Sequence, residues 1–167
     1  MMERVLSWTF GLMLAVLLFG TGIYKFVGPD PNPVFGLIAA RSGIGIFEPW
    51  LRYATGVVEL IAVLMVLWPA TRMRGAQLGL LVALGAIVFH LTPWLGIQVP
   101  RLPELSAALA EGRTAAQIAA MNLPTDKGAM FLLALAIAGV AIASYFTEKA
   151  KQRASAPKAP RPMGAFA

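Results

Sequence analysis

Cysteine is absent from the 167 residues, histidine occurs once, and charged side chains make up only 13% of the chain. Without cysteine there is no disulfide, no thiolate zinc site, no CxxCH haem attachment and no thiol redox relay. The scarcity of charge stands beside 58% apolar residues and a mean hydropathy of +0.71. Soluble domains carry about a quarter charged residues, so an ordinary soluble enzyme is excluded. A disordered chain, which needs low hydrophobicity, is excluded with it. Also missing are a glycine-rich phosphate loop, a GxSxG elbow, an HExxH pair and two carboxylates at catalytic spacing. Hydrolase and nucleotide chemistry have no support, and the reading leans away from an enzyme.

The apolar residues fall in four blocks, Val5–Phe26, Ala54–Trp68, Ala76–Ile97 and Met130–Phe146. A spanning helix needs about 20 such residues, because roughly 30 Å of hydrocarbon is crossed in 1.5 Å steps. The second block is extended at its start by Trp50, Leu51 and Tyr53, with Arg52 near the interface. The expectation is an all-α integral membrane four-helix bundle with helices over about 5–26, 50–69, 76–97 and 128–147. The first block is too long for a signal peptide, and no small-residue cleavage pattern follows it. The bundle forms one domain over 1–148, followed by a disordered basic tail over 149–167.

Net charge is +6, and its placement reads as topology. The short Arg72/Arg74 connector and the tail with Lys149, Lys151, Arg153, Lys158 and Arg161 are the dense basic segments. By the positive-inside rule they and both termini face the cytoplasm, and the long connectors 28–49 and 98–127 face outward. A basic tail at this position points to anionic lipid, and nucleic-acid binding is not expected. Trp8 and Trp68 then fall near inner ends, and Tyr24, Trp50, Tyr53 and Trp94 near outer ends, as interfacial aromatics do. Alanine, glycine and arginine usage suggests a bacterial inner membrane. Pro29, Pro31 and Pro33 end the first helix, and residues 41–46 make a flexible stretch. In the second long connector, 103–109 suggests a short helix, and 114–121 another turn or two with Thr114 as N-cap. The one GxxxG, Gly75 to Gly79, is read first as ordinary close packing and second as a dimerisation face.

Charge inside a span costs at least ~2.5 kcal/mol near the bilayer centre, so it has a partner or a task. Three residues qualify: Lys25, Glu59 and His90. Lys25 ends the first helix. Glu59 lies roughly 13 Å from the start of the second, and His90 roughly 10 Å from the outer end of the third. An antiparallel bundle gathers them in its outer half. Lys25 is either an interfacial lysine reaching water or the partner of Glu59. Glu59 is a packing ion pair, a ligand contact or a proton carrier. His90 is a structural hydrogen-bonding ring, a contact to a quinone or lipid, or, least favoured, an axial ligand to haem or chlorin. One histidine without companions does not make a metal site. Arg41, Glu48 and Arg52 are read as solvated loop charges, with Arg41 or Arg52 alternatively meeting an anionic group.

Residues 20–26, Gly-Thr-Gly-Ile-Tyr-Lys-Phe, resemble the Gly-x-x-Lys-Phe ending of the first helix in DoxX-like proteins. Residues 56–60, Gly-Val-Val-Glu-Leu, resemble that family's second-helix pattern, and a polar residue late in helix three, here His90, fits it too. The likeness runs from about Leu12 to Phe146. It implies a non-catalytic accessory or assembly subunit of a membrane complex, redox and quinone-linked in the case that names the family. Thiol chemistry known in related bundles does not carry over to a chain without cysteine. Three expectations follow: an accessory subunit docking a membrane-protein partner or a second copy through the 98–127 connector; a binder of quinone or lipid in an outward-opening pocket lined by Lys25, Glu59 and His90, with Arg41 nearby; and, last, a proton-coupled carrier using Glu59, for which the chain lacks inverted repeats or broken spans.

Overall fold

The computed structural model describes residues 2–155. The described residues form seven α-helices and a 3-10 turn, with no strand beyond one bridge between Pro100 and Thr125. The long helices are α1 (Met2–Val27), α3 (Trp50–Leu67), α4 (Arg72–His90) and α7 (Ala129–Ser155). All four are long and apolar enough to cross a membrane, and the all-α multi-pass architecture is as expected. The short helices α2 (Pro33–Ser42), α5 (Leu102–Ala110) and α6 (Ala115–Ala120) lie in the two long connectors.

In the bundle, α1 and α4 each pack against both α3 and α7. Neighbours are thus antiparallel, and α1 and α4 stand diagonally. Lipid offers no hydrophobic drive between helices, so packing relies on small residues that let backbones approach. Ala62, Ala76 and Ala141 are buried at the centre with Leu14, Leu18 and Val66, while Val16, Leu64 and Leu81 face outward. The GxxxG pair serves this intramolecular packing. A β-carbon on Gly75 would lie 2.6 Å from the Val66 backbone nitrogen, and one on Gly79 would lie 2.8 Å from Leu18 Cδ1.

One arginine ties four helices together at this end. Arg72 is fully buried. Its Nε donates to the Val66 carbonyl at 2.8 Å and its Nη1 to Ser7 Oγ at 2.9 Å. Ser7 Oγ in turn donates to Glu148 Oε2 at 2.6 Å, and Lys151 pairs with Glu148 at 2.6 Å. The Arg72 guanidinium also lies 3.8 Å from the centre of the Trp8 ring. The Arg72/Arg74 connector, read as a dense basic segment, thus divides: Arg72 is buried in the bundle and only Arg74 is exposed. The basic tail is corrected in part. Residues 149–155 continue α7, held by i,i+3 and i,i+4 contacts from Glu148 to Lys151 and Gln152; residues 156–167 lie outside the described residues.

The two long connectors fold into a roof over the His90 end. The prolines of the first do more than stop α1. Pro33 occupies the first turn of α2, where no N–H is needed, and Asn32 Oδ1 caps it by accepting from Val34 and Phe35. In the second, α5 and α6 match expectation, and Thr114 forms a reciprocal capping box with Gln117. Leu37 of α2, Leu105 of α5, Ile118 of α6 and Val99 share a second core. Trp94, half-buried, joins Phe47 and Phe89 in an aromatic cluster beside it.

Asp126 fastens the roof to α7. Its Oδ1 accepts from Val99 and Gly128 N–H, and its Oδ2 from Met130 N–H. Burial pushes this carboxyl up, but the three backbone donors outweigh it and hold its pKa below the ordinary value. A depressed carboxylate contributes stability above its unfolded pKa, about 3.9, and loses it as pH falls through the folded value. The roof is accordingly expected to stay fixed at neutral pH and to loosen only in strong acid. Asp126→Asn, whose amide nitrogen cannot accept, should cost about 1 kcal/mol at pH 7 and flatten the acid limb of a melting-temperature profile.

A second outcome concerns the glycines. Gly75→Ala forces a β-carbon onto backbone and should destabilise by about 1–3 kcal/mol. Gly85→Ala, where nothing lies within 4 Å, should be neutral or slightly stabilising through helix propensity. Thermal unfolding of the two variants in the same detergent checks the contrast.

Candidate functional site

Lys25 and Glu59 come together because glycines let α1 and α3 approach. A β-carbon on Gly22 would sit 3.1 Å from Glu59 Cβ, and one on Gly56 would sit 2.6 Å from Phe26 Cε2. Lys25 Nζ stands 2.5 Å from Glu59 Oε2 and donates to the Thr21 carbonyl at 3.2 Å. Thr21 Oγ1 donates to Glu59 Oε1 at 3.1 Å. Both carboxylate oxygens are therefore occupied. The side chains are 12% and 4% exposed for Lys25 and Glu59, so of the two sequence readings for Lys25 the ion pair is the one realised. The Phe35 ring of α2 covers the ammonium, with its centre 5.9 Å away.

His90 reaches the same region from another direction. The third span was expected to run to Ile97, with His90 well inside it; instead α4 ends at His90. Pro93 has no N–H and disfavours helix at the residue before it. The chain then turns through Gly96, whose φ of +82° is open to glycine at little cost. That turn brings the Gly96 carbonyl to 2.7 Å from His90 Nδ1. A carbonyl only accepts, so Nδ1 carries the proton. In the neutral ring Nε2 is then an acceptor, and it makes no hydrogen bond among the described residues. The Phe131 ring packs against the imidazole with centres 5.6 Å apart.

Lys25, Glu59 and His90 all line one cavity of about 790 Å³, whose remaining walls are nearly all apolar and come mostly from α1, α2, α3, α4 and α7, with Leu95 and Leu102 from the second connector. Besides Tyr24 these are its titratable lining groups. Arg41 does not line it. Half-buried in α2, it donates to the Trp94 and Leu95 carbonyls at 3.4 and 3.3 Å, and burial lowers its pKa. It is a clasp within the roof. Among the described residues no three His, Asp or Glu side chains converge as metal ligands.

Arg52 and Glu48 were read as solvated charges, and the structure corrects this. Arg52 is 2% exposed. It pairs with Glu48 at 3.0 Å and Asp30 at 3.2 Å, donates to the Pro29 carbonyl, and lies 4.3 Å from the Tyr53 ring centre. The cluster joins the start of α3 to the connector after α1. Its i,i+4 spacing from Glu48 is the one signal in the sequence that points to it. Nothing comparable announces the Ser7–Arg72–Glu148 network, whose members lie far apart in the chain.

The 98–127 connector, expected as a docking surface, is folded into the roof and contributes Leu102 to the cavity wall. Compared with protein-family models, curated proteins and solved structures, the chain matches none.

Removing one member of a buried ion pair leaves the other uncompensated and typically costs 3–5 kcal/mol, whereas replacing both with apolar groups is close to neutral. Lys25→Met and Glu59→Leu should each lower stability by about 3 kcal/mol, and the double variant should return to within about 1 kcal/mol of the parent. Denaturation of the four proteins in one detergent measures the cycle; additive single losses would show that the two charges are not coupled.

Proposed function

We propose that this protein binds a neutral amphiphile, a quinone or a neutral lipid by chemical type, in the cavity beneath the roof. The observation that carries this reading is the cavity itself. Its volume lies within the roughly 300–1,000 Å³ of small-molecule sites, and such sites combine apolar walls with a few placed polar groups. The head group follows from charge. Lys25 and Glu59 cancel each other, and Arg41 is committed elsewhere. An anionic head would find no free cation, whereas a carbonyl or hydroxyl finds suitable partners. The Lys25 ammonium has three donors and uses two. His90 Nε2 offers an acceptor.

Access is from the bilayer. Gly20 and Gly85 both line the cavity and are both exposed, and a β-carbon at either would meet nothing within 4 Å. They leave windows in α1 and α4 that packing does not require, while the roof closes the end of the bundle. A chain that holds a ligand without groups to transform it serves another protein. That supports, as a second proposal, the accessory role in a membrane redox assembly that the DoxX-like resemblance implies.

The test is purification of the full chain in mild detergent, followed by solvent extraction and mass spectrometry of what is bound. One neutral amphiphile per chain is expected. Ala86→Trp, which fills the cavity from α4 and leaves the ion pair of α1 and α3 in the chain, should reduce it at least tenfold with the fold retained. His90→Ala should weaken retention by about 1–3 kcal/mol, the cost of a lost buried hydrogen bond. An empty parent protein, or equal loading of the Ala86→Trp variant, would overturn the proposal.

A further inference from the structure

A second apolar recess lies at the opposite end of the bundle, on the outward face where α4 meets α7. It holds about 280 Å³ and is lined by Ala76, Gln77, Leu80, Ile142, Tyr145 and Phe146. Gln77, Ile142 and Phe146 are exposed, so the recess opens to whatever surrounds the bundle. In a spanning helix pair that is acyl chain.

What distinguishes this groove is the charge above it. Arg74 precedes Gln77 by three residues and Lys149 follows Tyr145 by four, so each stands over the groove on its own helix. The antiparallel register sets them level: Arg72 contacts Glu148 across the same helix pair, and Arg74 and Lys149 lie beside those positions. The Lys149 ammonium is 5.5 Å from the Tyr145 ring centre, leaning toward the groove. Arg74 is exposed and Lys149 half-buried. Among the described residues no acidic partner falls to either: Glu148, the neighbouring carboxylate, is already taken by Ser7, Arg72 and Lys151. Arg153 stands one turn beyond Lys149 and extends the basic stripe. An apolar slot headed by two uncompensated cations is complementary to an anionic phospholipid, with phosphate at the cations and one acyl chain in the slot.

We infer that the α4–α7 groove is a binding site for one anionic phospholipid of the leaflet at the Arg72 end, with Arg74 and Lys149 holding its phosphate. This site is independent of the cavity under the roof, where the charges cancel. Here they do not.

The test uses the delipidated full chain in nonionic detergent, titrated with phosphatidylglycerol or with phosphatidylcholine of the same acyl chains, and lipid adducts counted by native mass spectrometry. A single phosphatidylglycerol adduct is expected to persist where phosphatidylcholine does not. Arg74→Gln and Lys149→Gln should each weaken it about fivefold, while Arg4→Gln, which removes the same charge from α1 at the same end, should leave it within about twofold. Gln77→Trp keeps both cations and fills the slot, and should abolish the adduct. Equal retention of the two lipids overturns the inference. So does an equal loss in all three charge variants, which would mean diffuse attraction to a basic face. A dimer that dissociates on Gln77→Trp would assign the groove to a second copy and likewise overturn it.

Discussion

The near-contact of α3 and α4 at Gly75 governs the rest of this molecule. With the backbone at Val66 pressed against Gly75, the four helices meet closely at one end, and the Arg72 guanidinium can reach α1, α3 and α7 from α4. An arginine placed there would be prohibitive if its hydrogen bonds were left open, because hydrocarbon supplies no water to satisfy them. The Val66 carbonyl, Ser7 and Glu148 take up Nε and Nη1, and the Trp8 ring lies against the guanidinium, while Nη2 is left buried without a hydrogen-bond partner. The bundle is thereby fixed at the Arg72 end, and the separation of its helices around a cavity at the other end does not unmake it.

That division explains why the connectors are elaborate on one side and minimal on the other. Residues 68–71 are all that joins α3 to α4 at the fixed end. At the open end, more than fifty residues are spent on three short helices with a core of their own. Leu37, Val99, Leu105 and Ile118 are nearly inaccessible, which is unusual for loops and ordinary for a small folded layer. Arg41 and Asp126 bind that layer through backbone groups, Arg41 to two carbonyls and Asp126 to three N–H groups. Such contacts do not depend on neighbouring side chains, so the layer stays seated above a cavity that gives it little to pack against.

Legibility from sequence followed the range of each interaction. The spans were legible because hydrophobic run length is a local property, and the Thr114 cap because a capping box closes within four residues. The Lys25–Glu59 pair was legible because charges are scarce in the spans and the topology leaves them few places to go. The end of α4 was missed through apolar residues beyond Pro93: Trp94, Leu95 and Ile97 read as a continuing span, but they belong to the roof. The α2 helix was hidden behind three prolines that signal a break, although Asn32 before Pro33 is also a helix start. Arg72 read only as part of a basic connector because its partners Ser7 and Glu148 lie 65 and 76 residues away in sequence, beyond any local pattern.

The two ends also differ in how charge is treated, and this bears on what each accepts. Around the cavity the charges are engaged within the protein: Lys25 with Glu59, Arg52 with Glu48 and Asp30, and Arg41 with two backbone carbonyls. What is left over is a donor on an ammonium and an acceptor on an imidazole, groups that recognise without demanding a charge in return. At the Arg72 end the buried charges are paired, but among the described residues Arg74 and Lys149 have no acidic partner, which leaves them open to an anionic group. A membrane supplies neutral amphiphiles within its apolar layer and anionic head groups at its surface. On the two proposals made above, the bundle would sort the two by depth, taking the first through windows at Gly20 and Gly85 and the second along its α4–α7 face. Such sorting would need no moving part, because it would follow from which cations the fold has already engaged.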